Sequence, residues 1–192
     1  MSDKHPFPQE KALPIAIQLR DMLSPWCEAD RCVITGSLRR QKTWVGDIEI
    51  LYIPKYRLLS ADLFKQSASK MENTADVMLD KMLEAGFIET RENAVGNEMW
   101  GEQNKFARHP SGLNVDFFAT DEDRWWNALV VRTGGKQSNI QIASAARRLG
   151  WKFEAYGRGF QSLRGLPHHQ STSERDVFDF VRLPYLEPQK RP

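Results

Sequence analysis

One strand-like segment, residues 45–53, constrains the fold more than any other part of the chain. It reads Val-Gly-Asp-Ile-Glu-Ile-Leu-Tyr-Ile, alternating at first and then continuously apolar, a pattern typical of a central strand. Because side chains alternate along a strand, Asp47 and Glu49 are expected on one face, about 6.6 Å apart along the backbone. The sequence therefore predicts a central strand that carries two carboxylates.

A third carboxylate, Asp116, lies in another apolar strand, residues 113–119, where an unpaired charge is costly. If the two strands are neighbours, the three acids form one cluster. Carboxylates without His or Cys suit Mg²⁺ or Mn²⁺ better than structural zinc. Two such ions about 4 Å apart can activate a hydroxyl and stabilise a leaving oxygen. The alternative is that Asp47 and Glu49 face solvent on a half-exposed strand.

A second short strand, residues 31–35, ends in Gly36 and Ser37 and is followed by Arg39 and Arg40 on a turn or short helix. Free N–H groups at a helix start, a hydroxyl and two guanidinium groups suit a triphosphate. The alternative for the two arginines is a solvated basic pair. Their position just ahead of a Gly-Asp-x-Glu strand favours a phosphate site.

Apolar spacing and capping residues predict the other elements. Helices are expected at about 13–23, from Asn73 or Thr74 to Gly86, at about 122–132 and 139–149, and after a capping box of Ser173 and Asp176. Strands are expected at 87–90, 98–108 and 113–119, with a hairpin around 151–159. The composition shifts near residue 121, which predicts a domain boundary there.

The charge changes sign at the same place. Residues 1–123 carry 15 Lys and Arg against 20 Asp and Glu, whereas residues 124–192 carry 12 against 5. A metal-binding region followed by a phosphate-gripping region would show this asymmetry, and uneven solvated surface charge is the alternative. The candidate DNA contacts of the basic region, unless they are solvated helix and hairpin faces, are Arg147, Arg148, Lys152 and Arg158.

Two classes of protein are excluded by what the sequence lacks. No run approaches the roughly 20 apolar residues that span a bilayer, and the first ten residues lack the apolar core of a secretory signal. We therefore expect an intracellular protein without membrane contact. Cys27 and Cys32 are the only cysteines and are expected to be reduced thiols in the core.

Taken in order, these motifs resemble family X DNA polymerases. The resemblance runs from Gly-Ser-Leu-Arg-Arg at 36–40 and Gly-Asp-Ile-Glu-Ile at 46–50, through Val-Asp-Phe at 115–117, to Thr-Gly-Gly at 133–135 and the segment 173–188. It implies an α+β fold, in which a nucleotidyltransferase palm with a mixed β-sheet and helices (1–120) is followed by a small α/β thumb (121–192).

The resemblance also implies roles for the three acids and the function of the whole. Asp47 and Glu49 would bind both metal ions, Mg²⁺ or Mn²⁺, and Asp116 would bind the catalytic ion and help to activate the primer 3′-hydroxyl. The expected function is a metal-dependent DNA polymerase that adds dNTPs to primer–template or gapped DNA in repair, acting as a monomer. The alternatives are a nucleotidyltransferase with an RNA, protein or small-molecule acceptor, and an inactive nucleic-acid-binding relative.

By the same resemblance, the nucleotide contacts come from both regions. Ser37 and Arg40 would hold the β- and γ-phosphates, with Gly36 forming the turn and Arg39 in support. A backbone approach to the sugar is expected at Gly134, and Asn139 would reach the minor-groove edge of the incoming nucleotide. Asn139 could equally be a helix cap.

The chain departs from the family pattern at several positions. Glu49 stands where the family usually has Asp. The prototypic member has an aromatic pair where this chain has Val131 and Arg132, and a template-contacting arginine where it has Ala143. Because the sequence begins at the palm, we expect neither a lyase nor a fingers region, and no trimming to deoxyribose phosphate.

Overall fold

The computed structural model describes residues 6–59, 71–92 and 95–192. Within these ranges the α-helices are α1 (Gln9–Leu23), α2 (Gly36–Arg39), α3 (Thr74–Glu84), α4 (Trp125–Thr133), α5 (Lys136–Arg148) and α6 (Glu174–Phe180). The strands are β1 (Phe7–Pro8), β2 (Cys27–Ile34), β3 (Trp44–Val45), β4 (Ile48–Pro54), β5 (Tyr56–Leu58), β6 (Met71–Asn73), β7 (Glu89–Thr90), β8 (Asn104–Arg108), β9 (Asn114–Ala119), β10 (Trp151–Phe153), β11 (Gly159–Ser162) and β12 (His169–Gln170). None of these helices is both long enough and apolar enough to cross a membrane.

A five-stranded mixed sheet forms the centre of the first half of the chain. Its order is β2-β4-β9-β8-β7, with β4 and β9 parallel and the other pairs antiparallel. The two parallel strands are buried along most of their length, as their nearly continuous apolar sequences require. The mixed sheet that the sequence predicts is thereby confirmed.

One face of this sheet packs against α1 and α3. Ile48, Ile50 and Tyr52 of β4 meet Leu19 of α1 and Leu79 of α3, and all five side chains are almost wholly buried. Each such side chain contributes about 1.5–3 kcal/mol when removed from water. Because alternate residues of β4 serve this core, Glu49 is turned to the opposite face.

The opposite face is only partly covered. Helix α4 lays Trp125 and Leu129 over Leu51 and Phe118, which lie toward the carboxyl ends of β4 and β9. Trp125 is 2% exposed, so it is a core residue, although it packs on the large sheet and not within the second half of the chain. Toward the amino ends of β4 and β9, the same face of the sheet carries polar residues.

The second half of the chain has its own small core. The antiparallel sheet β10-β11-β12 packs against α5 and α6 around Ile142, Phe160 and Phe178. The predicted hairpin is present, with Glu154 N donating to Gly159 O at 3.0 Å. Sequence and structure therefore agree on an α/β layout after the large sheet.

Two predicted caps form as expected, and one capping box forms only in part. Asn73 Oδ1 accepts hydrogen bonds from Ala75 N at 3.0 Å and Asp76 N at 3.1 Å. Ser173 Oγ accepts from Asp176 N at 3.0 Å. The carboxylate of Asp176, however, accepts from Thr172 N at 2.8 Å, whereas a full capping box would have it reach Ser173 N.

Several predicted boundaries are wrong by a few residues. Helix α1 begins at Gln9 and not near 13, so Pro14 lies inside the helix and not in its first turn. Helix α4 begins at Trp125 and α5 at Lys136, against predicted starts at 122 and 139, and β8 begins at Asn104, against 98. Helix and strand ends depend on individual backbone hydrogen bonds, which hydrophobic spacing does not resolve.

Candidate active site

Two of the three predicted carboxylates lie side by side on the large sheet. Glu49 of β4 and Asp116 of β9 are paired in register in the parallel ladder, so their strands are about 4.8 Å apart. Both belong to the face that α4 covers only in part, because Leu51 and Phe118, two residues further along each strand, contact that helix. The sequence predicts the two strands, but it does not predict the register that places Glu49 beside Asp116.

The third carboxylate, Asp47, is not on a strand. The segment expected to form one strand over 45–53 is divided into β3, which pairs with β1, and β4, which begins at Ile48. Asp47 lies in the link between them. The strand alternation that predicted a shared face for Asp47 and Glu49 therefore does not apply, and their relation depends on the path of this link.

The carboxylates suit a hard divalent cation, but the described side chains do not form a cluster of three metal ligands. Glu49 is half-buried and Asp116 is 8% exposed, and carboxylate oxygens are the ligands that Mg²⁺ and Mn²⁺ prefer. Across residues 6–59, 71–92 and 95–192, no three His, Cys, Asp or Glu side chains are close enough to hold a metal ion.

Arg91 is a residue of this site that sequence reasoning missed. Its Nη2 forms an ion pair with Asp116 Oδ1, and its Nε donates to Ala107 O at 3.2 Å. The guanidinium lies 4.7 Å from the ring centroid of Phe106. No sequence pattern links Arg91 to Asp116, because Arg91 follows β7 and meets Asp116 through the pairing of β7 with β8 and of β8 with β9.

The predicted phosphate turn abuts the carboxylate strand. Gly36 has φ of +64°, and a β-carbon at this position would collide with Glu49 Oε2. Glycine is therefore required both by the backbone conformation and by the approach of Glu49. The turn and the carboxylate strand form one continuous site.

This turn also carries donors that have no partner in the protein. Ser37 Oγ and Arg40 Nε are buried without hydrogen bonds, while Arg40 Nη1 donates to Thr133 O at 2.5 Å. Burial lowers the pKa of Arg40, although Glu49 and Asp47 act in the opposite direction. Buried donors of this kind are expected to have a partner, and an anion would supply it.

Gly134 and Asn139 are in contact with each other. Gly134 follows α4, and a β-carbon there would lie 2.9 Å from Asn139 Oδ1. Asn139 Nδ2 donates to Val131 O at 2.9 Å, and its Oδ1 is buried without a hydrogen bond. The N-cap of α5 is Gly135, so the alternative that Asn139 caps this helix is wrong. The Asn139 amide instead donates to a carbonyl group in the last turn of α4.

The four predicted DNA contacts are all exposed. Arg147 and Arg148 end α5, and Lys152 follows on β10. Arg158, in the hairpin turn, has its Nη2 3.2 Å from Asp123 Oδ2. Its charge is thus partly offset, and the first three residues are better placed to attract phosphate.

Comparison with known proteins finds a matching protein family and a distantly similar protein. Residues 128–192 match the model of the DNA polymerase beta thumb family. Over 203 residues the chain is 23% identical to DNA polymerase lambda of Rattus norvegicus, an alignment that covers 96% of this chain and 33% of that protein. Residues 128–192 are thus similar to a polymerase thumb, and most of the chain is distantly similar to a family X polymerase. The chain spans about a third of the length of that relative.

A largely buried ion-pair network joins the region that matches the thumb family to helix α2. Arg39 donates to both carboxylate oxygens of Glu174, at 2.9 and 2.7 Å, and Arg191 Nη1 donates to Glu174 at 2.8 Å. Burial raises the pKa of Glu174, but the hydrogen bonds and charges of the two arginines outweigh it and hold the pKa below its ordinary value. Arg39 therefore links α2 to α6, and Thr133 Oγ1 is a further acceptor for it.

Arg132, one of the departures from the polymerase pattern, also lies close to the carboxylates. Its guanidinium carbon is 3.2 Å from the ring centroid of Phe118 and 4.9 Å from that of Tyr156. Burial lowers the pKa of Arg132, while Tyr156, Glu49 and Asp116 act in the opposite direction. These three side chains line part of a cleft of about 630 Å³, to which β5 and β6 also contribute Tyr56 and Met71.

Proposed function

We propose that this chain is a metal-dependent DNA nucleotidyltransferase that extends a primer 3′-hydroxyl with dNTPs and releases pyrophosphate. The observation that carries the proposal is the contact between the Gly36 turn and Glu49, which places unsatisfied donors next to the carboxylate pair. A triphosphate held by Ser37 and Arg40 would lie beside Glu49 and Asp116. The match to the polymerase beta thumb supports DNA as the partner.

We also propose that residues 1–120 form a palm and residues 121–192 a thumb. Each part has its own sheet and its own buried cluster. The net charge is −5 over 1–123 and +7 over 124–192, which supports a basic thumb that contacts DNA phosphates. Helix α4 starts the thumb and packs on the palm sheet, so it is the connection between them.

In this proposal each side chain has a defined task. Asp47, Glu49 and Asp116 hold Mg²⁺ or Mn²⁺, and two such ions, when bound, help to activate the primer hydroxyl and stabilise the departing pyrophosphate oxygen. Ser37 Oγ and Arg40 Nε donate to the phosphates. Arg39 acts indirectly, since its pairing with Glu174 holds the turn against the thumb.

Gly134 and Asn139 complete the nucleotide site in this proposal. Because Gly134 has no side chain, the backbone at the end of α4 can come close to the sugar. Asn139 has a buried amide oxygen without a hydrogen-bond partner in the protein. Arg147, Arg148 and Lys152 contact DNA phosphates, with Arg158 a weaker contributor. The protein is proposed to act as an intracellular monomer on primer–template or gapped DNA, in repair.

One observation favours a second candidate, a nucleic-acid-binding relative without catalysis. Asp116 is paired with Arg91, and no set of three donors is gathered in the described residues. Such a protein would bind DNA through its basic half and transfer nothing. Binding without turnover therefore separates the two candidates.

The test is primer extension by the full chain with Mg²⁺ or Mn²⁺ on templated, gapped and single-stranded DNA, with an RNA primer in parallel. Metal-dependent product ladders with pyrophosphate release on the templated and gapped DNA support the proposal. Transfer only to the RNA primer would indicate another acceptor. DNA binding with no transfer under any of these conditions would favour the non-catalytic candidate.

A further inference from the structure

Arg91 is fixed beside Asp116 by its own strand environment. Its main-chain N donates to Phe106 O at 3.1 Å, and β8 pairs Phe106 opposite Asp116. The Nε bond to Ala107 O and the contact with the Phe106 ring hold the guanidinium over β8. The ion pair therefore does not depend on a freely rotating surface side chain.

The pair is poorly accessible to water. The side chain of Arg91 is 16% exposed and that of Asp116 is 11% exposed. In such surroundings each charge needs the other, because an isolated charge would keep the cost of desolvation without compensation. Solvent screening is also weak there, so a cation next to the Asp116 carboxylate strongly opposes the arrival of a second cation.

Arg91 and Glu49 lie on opposite sides of Asp116. In the sheet order, β4 with Glu49 is on one side of β9, and β8, over which Arg91 lies, is on the other. A metal ion shared by Glu49 and Asp116 would lie between the β4 and β9 side chains. Arg91 engages the same carboxylate from the β8 side.

We infer that Arg91 competes with the divalent cation for Asp116 and thereby sets the metal affinity of the site. The inference rests on the proposed function, because it assumes that Asp116 is a metal ligand. Arg91 is a positioning residue in this account: it neutralises Asp116 while no metal is bound and releases the carboxylate when a metal binds.

The experiment measures Mn²⁺ binding to the full chain by the loss of the free-ion electron paramagnetic resonance signal. Arg91→Gln is compared with the unaltered chain, with Arg91→Lys and with Arg108→Gln. Arg108 is a matched control, since it lies on β8 two residues beyond Phe106, is exposed, and bonds Asn114 and not Asp116. Both glutamine variants remove one positive charge from the same strand region.

Arg91→Gln is expected to bind Mn²⁺ about tenfold more tightly, equivalent to about 1.4 kcal/mol. Arg91→Lys should fall between it and the unaltered chain, because lysine keeps the charge without the planar fork. Arg108→Gln should stay within about twofold of the unaltered chain, the change expected for a distant, screened charge. Equal affinities for Arg91→Gln and Arg108→Gln would overturn the inference.

Two further measurements keep the outcome interpretable. Thermal denaturation with and without Mn²⁺ should show a larger metal-induced rise in Tm for Arg91→Gln, because a ligand stabilises the state that binds it. In chains that also carry Asp116→Asn, the substitution Arg91→Gln should no longer change Mn²⁺ affinity. If Mn²⁺ binds the unaltered chain and Arg91→Gln equally, only this inference fails, whereas absence of binding to every variant refutes the metal site and the proposed function together.

Discussion

The two ends of the candidate site differ in how their charges are balanced. At the carboxylate end, Asp116 has an arginine partner supplied by the protein itself. At the phosphate end, Ser37 Oγ and Arg40 Nε are buried without hydrogen bonds, and each such group costs about 1–3 kcal/mol. We therefore expect an anion to be favoured next to Ser37 and Arg40, whereas at the other end Arg91 already balances the charge of Asp116.

Neighbouring arginines show the same contrast at closer range. Arg39 is the last residue of α2 and Arg40 is its C-cap residue, yet Arg39 is satisfied by Glu174, whereas Nε of Arg40 has no hydrogen-bond partner in the protein. Consecutive residues on a helix point about 100° apart, so one can serve packing and the other the ligand. We therefore expect Arg39 to stabilise the packing against α6 and Arg40 to contact the ligand.

The largest expected effect concerns the carboxylate end. Asp116→Asn should lower primer extension by at least about a hundredfold, since it removes a charged metal ligand while keeping the shape of the side chain. Asp121→Asn is the matched control, because Asp121 is exposed and its partner is Arg124. Single-turnover extension assays measure both variants, and near-normal extension by Asp116→Asn would rule out its assigned role.

An effect of similar size should separate Arg39 from Arg40. Arg39→Ala leaves buried Glu174 with one partner fewer and should lower the free energy of unfolding by about 3 kcal/mol. Arg40→Ala should instead raise the KM for dNTP with little loss of stability, because its unsatisfied donor serves the ligand. Urea denaturation and steady-state kinetics on both variants test this division. A reversal, with Arg40→Ala the less stable protein, would show that the two tasks are exchanged.

The sequence predicts the elements of this site better than their contacts. Apolar alternation predicts the strands that carry Glu49 and Asp116, but it leaves open whether these strands are neighbours. The path that takes Asp47 off the strand is set by the pairing of β3 with β1, which no local pattern specifies. Arg91 and Glu174 were missed because each meets its partner from a distant part of the chain, through strand pairing and helix docking.

The pH dependence of stability should sharpen the role of Glu174. Its pKa in the folded chain is below the ordinary value of 4.5, so the stability from its ionised form is fully present above about pH 4.5 and is lost as the pH falls through the folded pKa. Glu174→Gln lacks this contribution. The stability difference between the two proteins should therefore shrink as the pH is lowered from 7 toward 3, and chemical denaturation at each pH measures it. A difference that does not change with pH would contradict the paired state of Glu174.

The smallest effect concerns DNA phosphates and compares two exposed arginines of the thumb. Arg148→Gln should reduce the slope of log affinity against log salt by about 0.9, the value for one phosphate contact on duplex DNA. Arg158→Gln should reduce it by less, because Asp123 lies 3.2 Å from its guanidinium and already offsets part of its field. Exposed pairs of this kind are worth only about 0–1 kcal/mol, so DNA could break the pair. Fluorescence anisotropy of labelled primer–template DNA between about 50 and 200 mM salt measures both slopes. Equal reductions would show that Arg158 leaves Asp123 on binding DNA, and that the pairing in the free chain does not predict the contacts of the complex.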